Sequence, residues 1–297
     1  MAEGTRVQRE MTRCIFVSDL HGNTERYQKL LRVIGKEVPQ AVFLGGDLLP
    51  SGLSLRSSQG FSCSDFVEEY LVREFLLLRE HMKGVYPRTF VVMGNDDVRC
   101  FEPSFVDGET KGAWEYIHNR KVPLESFQVY GYSYVPPTPF LLKDWERYDV
   151  SRYVDPGGVS PEEGSRSVSV PEEEKRNATI REDLDRLVGD DNLDRAVFLF
   201  HAPPYDSDLD RAALDGKMVD HVPLDLHVGS IAIRRFVETR QPLLTLHGHI
   251  HESARLTHSW RQRLGRTHAF SAAHDGSELA LVRFSLEDLD SATRELV

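Results

Sequence analysis

Cysteine is scarce: Cys14, Cys63 and Cys100 are odd in number and far apart in a chain of 297 residues. A disulfide framework needs pairs, so the three read as reduced thiols of a cytosolic protein. Long apolar runs are missing too. Nothing approaches the roughly 20 residues that a membrane-spanning helix requires, and the first ten residues lack the apolar segment of a secretory signal. Positive charge is in deficit, with 36 Lys and Arg against 47 Asp and Glu and a formal net charge of −11. A surface of that sign repels polyanions, so a nucleic acid polymer is not expected as the main partner. The expectation is a soluble, cytoplasmic protein without a membrane partner; the sequence carries no signal for an oligomeric state.

What is present is apolar in short pieces. Five β-rich runs each end abruptly in polar residues: Cys14-Ile-Phe-Val-Ser-Asp-Leu-His21, Ala41-Val-Phe-Leu-Gly-Gly-Asp47, Phe90-Val-Val-Met-Gly-Asn-Asp-Asp97, Ala196-Val-Phe-Leu-Phe-His201 and Leu243-Leu-Thr-Leu-His-Gly-His-Ile-His251. Continuous Val, Ile, Leu and Phe suit strands buried on both faces. Helical spacing separates them. Tyr27, Leu30, Leu31 and Ile34 follow a cap at Asn23 or Thr24 and end at Gly35, and a longer candidate covers 64–83 with Ser64 as its cap. Ile180, Leu184, Leu187 and Val188 mark another helix, and Ile233, Phe236 and Val237 a fourth. Strands alternating with helices predict an α/β layered fold whose strand ends converge on one crevice. The five runs span most of the chain, so residues 1–297 read as a single domain with an exposed insertion at about 151–178. The stretch 267–286 reads as a hairpin turning at Asp275-Gly276.

The polar ends collect Asp19, His21, Asp47, Asn95, His201, His249 and His251. Oxygen and nitrogen donors without thiolates suit Mn²⁺, Fe²⁺, Zn²⁺ or Ni²⁺. Seven ligands exceed one tetrahedral zinc; they suit two divalent ions ~3.5–4 Å apart sharing a carboxylate. Alternate residues of an extended segment face one way, so Asp19 can join His21, and His249 can join His251.

The chain here resembles the calcineurin-like metallophosphoesterases. Their blocks Asp-x-His, Gly-Asp, Gly-Asn-His-Asp/Glu, a lone His and Gly-His-x-His appear in order as Asp19-Leu-His21, Gly46-Asp47, Gly94-Asn95-Asp96-Asp97, His201 and Gly248-His249-Ile-His251. One block would be a weak signal, and five in order are a strong one. The resemblance implies a four-layer α/β/β/α sandwich and two divalent metal ions. Metal one would take Asp19, His21, Asp47 and His251; metal two would take Asp47, Asn95, His201 and His249. A bridging hydroxide would attack a small phosphomonoester or phosphodiester in line. A catalytically silent metal-binding scaffold of the same fold, or a protein phosphatase, is the alternative.

The departure from the family pattern is Asp96, where a proton-donating or phosphate-contacting histidine is usual. A carboxylate beside two dications is ionised and cannot donate. It either acts directly or orients a ligand or turn, while Asp97 would accept a hydrogen bond from a ligand histidine. His227, in Asp225-Leu-His227-Val-Gly-Ser230, is the candidate replacement donor, with the Gly229 and Ser230 amides free for an anion at a helix start. His247 reads as packed, and Glu172-Glu-Glu174 as the first turn of a helix.

Overall fold

The computed structural model describes residues 11–51 and 66–297. The chain opens with strand β1 (Arg13–Val17), helix α1 (Thr24–Glu37) and β2 (Ala41–Gly45). A wider, π-wound turn (Phe66–Val72) runs into α2 (Arg73–Met82), followed by β3 (Arg88–Val92), α3 (Glu102–Lys111) and β4 (Glu115–Tyr116). A hairpin of β5 (Arg120–Leu124) and β6 (Phe127–Tyr132) comes next, then α4 (Glu172–Asn177), α5 (Ile180–Val188) and β7 (Ala196–Phe200). After a small ribbon of β8 (Met218–Val219) and β9 (Val222–Pro223) come α6 (Ile231–Arg240), β10 (Leu244–His247) and α7 (Ser253–Thr257). Strands β11 (Arg261–Leu264), β12 (Thr267–Ser271), β13 (Ala280–Ser285) and β14 (Asp288–Leu296) finish the chain.

Two six-stranded sheets result, ordered β14-β13-β1-β2-β3-β4 and β11-β12-β10-β7-β6-β5. The pairs β1–β2, β2–β3, β6–β7 and β7–β10 are parallel, as strands joined by helical crossovers should be. Side-chain alternation sorts each strand into two faces. Phe16, Phe43, Phe90 and Val92 of the first sheet share a core with Val197, Leu199, Leu244, Leu246 and Phe270 of the second. The opposite faces, with Ile15, Val42, Leu44, Phe198 and Phe200, pack with Leu30, Ile34, Phe75, Ile180, Leu184 and Phe236 from the helices. This is the α/β/β/α layering expected. Leu30 is fully buried, so trimming it to Ala would cost about 2–5 kcal/mol.

Local details differ from expectation in instructive ways. Asn23 caps α1, its side-chain oxygen accepting the amides of Glu25 (3.0 Å) and Arg26 (3.2 Å). The helix continues past Gly35 to Glu37 and closes at Val38 with φ 48°, because burial of Ile34 outweighs the glycine's weak helix preference. Ser64, with Cys63, lies outside the described residues. The acidic Glu172–Glu174 run does begin a helix, in a segment that is mostly exposed. The hairpin expected over 267–286 does not form: β12 pairs with β10 and β11, whereas β13 pairs with β1 and β14. The Asp275-Gly276 stretch carries the chain from one sheet to the other. Each of those strands has an apolar face that only its own sheet can bury, and that decides against local pairing.

Candidate metal centre

All seven expected ligands stand just beyond the C-terminal ends of parallel strands. Asp19 and His21 follow β1, Asp47 follows β2, Asn95 follows β3, His201 follows β7, and His249 and His251 follow β10. Four of them hold a left-handed backbone, Asp19 (φ 57°), His21 (φ 45°), Asp47 (φ 52°) and His249 (φ 73°). Such conformations are costly for these residues and persist only where the surroundings enforce them. For the first three a backbone ladder does so: Asp19 N–H bonds Gly46 O (3.0 Å), His21 N–H bonds Asp47 O (2.8 Å) and Gly22 N–H bonds Leu48 O (2.9 Å), while His249 N–H bonds the Asp19 carboxylate (3.1 Å). Arg26 of α1 adds a bond to the Asp19 carbonyl at 2.8 Å and also grips the Gly276 carbonyl.

Two donor groups form. Asp19, His21, Asp47 and His251 are one, and Asp47, His201 and His249 the other, with ligand atoms in each within 4.8 Å of one another. In the first, Nε2 of His21 and of His251 lie 3.1 Å apart, and His251 Nε2 is 3.2 Å from Asp19 Oδ1. In the second, His201 Nε2 is 3.1 Å from Asn95 Oδ1 and 3.4 Å from Asp47 Oδ2. Donors bound at ~2.1 Å to one ion sit about 3.0–3.4 Å apart, so these separations fit two ions sharing Asp47. His201 Nδ1–H donates to Gly45 O at 2.7 Å, which leaves Nε2 as the nitrogen that would turn to a metal once its proton is displaced. Gly94 makes the approach possible, since a Cβ there would lie 2.6 Å from His201 Nε2.

Electrostatics tell the same story. Burial opposes ionisation of Asp47, but His201, His21 and the Asp96 amide outweigh it and hold the carboxyl well below its usual range. Asp19 is likewise drawn down to about 2, its burial overcome by His251 and His201. Burial works against protonating His201 and His21, yet Asp47 raises His201 to about 9 and Asp96, with Asp47, raises His21 to about 9. His249 is pushed down to about 3 by burial and by the His201 charge. In the metal-free protein, protons on imidazoles balance the carboxylates, and a dication would take their place.

The sequence profile of the calcineurin-like phosphoesterases matches residues 12–253. The chain belongs to that family. Its fold is that of this group of metal-dependent phosphoesterases. The solved TT1561 protein of Thermus thermophilus is similar, with a TM-score of 0.55 and 16% identity over 97% of this chain and 99% of that one. A dimetal phosphatase from Danio rerio matches with a TM-score of 0.52 and 12% identity over 92% of each chain. At such identities the likeness is one of fold. No curated protein matches the chain.

Within this family member, the residues around the candidate ligands take roles that were only partly foreseen. The Asp96 carboxylate lies 3.2 Å from His21 Nδ1 and accepts from Ser51 Oγ at 3.2 Å, while its amide donates to Asp47 Oδ1 at 2.8 Å. Asp97 meets no ligand histidine. It is fully buried and accepts the amides of Leu48 (2.8 Å), Leu49 (2.7 Å) and Gly94 (2.9 Å), fastening the Asp47 loop to the Asn95 loop.

His227 is held by Asp210, with 2.7 Å between Nδ1 and Oδ1, and its Nε2 is 3.7 Å from Asp206. Its stretch is tied to the loop after His201, because Ser230 N–H bonds Pro203 O and Tyr205 N–H bonds Ser230 O. The amides expected to meet an external anion are already engaged: Gly229 N–H bonds Asp210 and Ser230 N–H bonds Pro203 O, while the next two, Ile231 and Ala232 N–H, bond Asp149. The chain supplies its own anion to that helix start. His247 is packed, donating from Nδ1 to Ala202 O and accepting at Nε2 from Thr245, each at 2.8 Å. Arg26 and Asp210 escaped the sequence reading because neither lies in a motif. No helix among the described residues is long and apolar enough to cross a membrane.

Proposed function

We propose that the protein is a dinuclear metal-dependent phosphoesterase acting on a small phosphodiester or activated phosphoester. Asp19, His21, Asp47 and His251 would hold one ion, and Asp47, Asn95, His201 and His249 would hold the other. The observation that carries this reading is the pair of donor groups meeting at Asp47. When bound, the dications supply positive charge for the phosphoryl oxygens and acidify the attacking water. The chain's own part is to fix those donors and manage the leaving-group proton. Asp96 is engaged with His21 and Ser51, so it orients rather than donates. We assign the donor role to His227 Nε2, whose partner nitrogen is held by Asp210 as an oriented acid–base imidazole should be. A partly exposed carboxylate at 96 repels a dianionic monoester more than a monoanionic diester, which favours diesters. The free thiol of buried Cys14 suits a reducing cytoplasm.

The test is a panel of aryl and alkyl phosphomonoesters and phosphodiesters in Mn²⁺, with Asp47→Asn as control. Diester turnover that vanishes in Asp47→Asn supports the reading; two tightly held ions with no turnover of any ester overturn it in favour of a silent scaffold. His227→Asn should slow alkyl esters by about 10²-fold or more and aryl esters, whose leaving groups need no proton, far less. Equal slowing of both classes removes His227 from the donor role.

A further inference from the structure

We infer that Asp96 is a positioning residue for metal one, holding both the His21 ring and the shared carboxylate Asp47 from a single residue. The inference rests on the dinuclear reading above and extends it to a position that the ligand set leaves unassigned. His21 presents two edges. Its Nε2 faces His251 Nε2 (3.1 Å) and Asp47 Oδ2 (3.9 Å), so this edge belongs to the donor group. Its Nδ1 faces Asp96 Oδ2 at 3.2 Å. A carboxylate at that nitrogen fixes the tautomer with Nδ1–H, points the Nε2 lone pair at the ion and makes the ring a stronger base.

The second hold comes from the backbone. Asp96 N–H reaches Asp47 Oδ1 at 2.8 Å, leaving Oδ2 for the centre. Ser51 Oγ on the other carboxylate oxygen, at 3.2 Å, steadies Asp96 itself. One residue thus sets the orientation of two of the four donors in the first group. His21 needs such support because its own backbone is left-handed, with φ 45°, and its side chain is a quarter exposed. An imidazole at position 96 could meet His21 Nδ1 through a neutral nitrogen but would bring no negative charge to it. The substitution therefore exchanges a group available to substrate for one committed to a ligand.

Calorimetric Mn²⁺ titration and Mn²⁺ electron paramagnetic resonance read this without turnover. In Asp96→Ala one of two Mn²⁺ sites should weaken by about 10–100-fold while the other holds. Asp96→Asn, which keeps the shape, should fall between, and Asp96→His should not restore affinity. On a His21→Ala background, Asp96→Ala should weaken that site by less than about threefold more, because its main route to the metal is already gone. At saturating Mn²⁺ the kcat of Asp96→Asn should return to within severalfold of the parent. Unchanged Mn²⁺ affinities with kcat lost at saturating metal would overturn the inference and put Asp96 on the substrate. Full additivity with His21→Ala would overturn it too. If Mn²⁺ binding behaves as described while no phosphoester is turned over, the positioning role stands and the phosphoesterase reading falls.

Discussion

The first sheet brings Asp19, Asp47 and Asn95 to the centre, and the second brings His201, His249 and His251; His21 alone is an imidazole on the acid side. The two halves are also held differently. On the first sheet the backbone is bent into left-handed conformations at Asp19, His21 and Asp47 and kept there by the ladder between the β1 and β2 loops. On the second, His249 is left-handed as well, with φ 73°, but His201 leaves its strand without such a bend and takes its orientation from Gly45 O, a carbonyl of the first sheet. Neither half is therefore a site by itself. The acids are positioned by strain within their own sheet, and His201 by the opposite one.

The sharpest way to break this arrangement is at the seam. Gly94 touches both halves, since a Cβ there would collide with Asp47 and lie 2.6 Å from His201 Nε2. Gly94→Ala should destabilise the protein by about 3 kcal/mol or more by overpacking and weaken both Mn²⁺ sites together. Thermal unfolding of the metal-free protein and Mn²⁺ titration check the two parts. A variant that loses one site alone would show that the halves are independent.

The motif blocks made much of this centre legible. Each is local: an apolar strand followed by its first donor within one to three residues, so both the strand and its expected ligand can be read from one short window. Sheet membership is not local. The crossing at Ile117–Asn119 into the second sheet and the return between β12 and β13 depend on which distant strand buries which face, and the hairpin expected at Asp275-Gly276 failed for that reason. The β5–β6 hairpin was hidden because Pro123 and the charged Arg120-Lys121 mask its alternation. Asp97 was misjudged because its partners are backbone amides, which no motif displays. Asp210 was missed because only the folded chain brings it to His227.

A smaller effect isolates the acid half. Asp97 accepts Leu48 and Leu49 amides on one oxygen and the Gly94 amide on the other. In Asp97→Asn one of these oxygens becomes an NH₂ facing an N–H donor, an unsatisfied buried contact worth about 1–3 kcal/mol. Urea unfolding should report that loss. The His201 tautomer should survive, because its bond to Gly45 O does not pass through Asp97. Nitrogen-15 chemical shifts of the His201 ring check this, and a tautomer change there would mean that the acid half transmits its disorder across the seam.

The weakest expected effect lies where the chain crosses between the sheets, from β4 to β5. His118 accepts the Ser133 amide at Nδ1 (3.1 Å), and Ser133 Oγ in turn accepts the amide of Met93, just before Gly94. Burial, with the guanidinium charges of Arg99 and Arg147 beside it, holds His118 well below the ordinary histidine value of 6.5. In the unfolded chain it titrates near 6.5, so below that pH the unfolded state binds the extra proton. His118's contribution is therefore fully present above pH ~6.5 and is lost as the pH falls toward the folded value, by at most ~1.4 kcal/mol per pH unit. Protonation would also turn Nδ1 into a donor facing the Ser133 N–H, loosening the link to Met93. His118→Gln keeps an acceptor for that amide but cannot titrate, so the stability difference between pH 7.5 and 5.5 should shrink by about 1 kcal/mol. An unchanged difference would mean that the crossing takes up a proton without strain and that the Ser133 link to Met93 does not depend on the His118 charge.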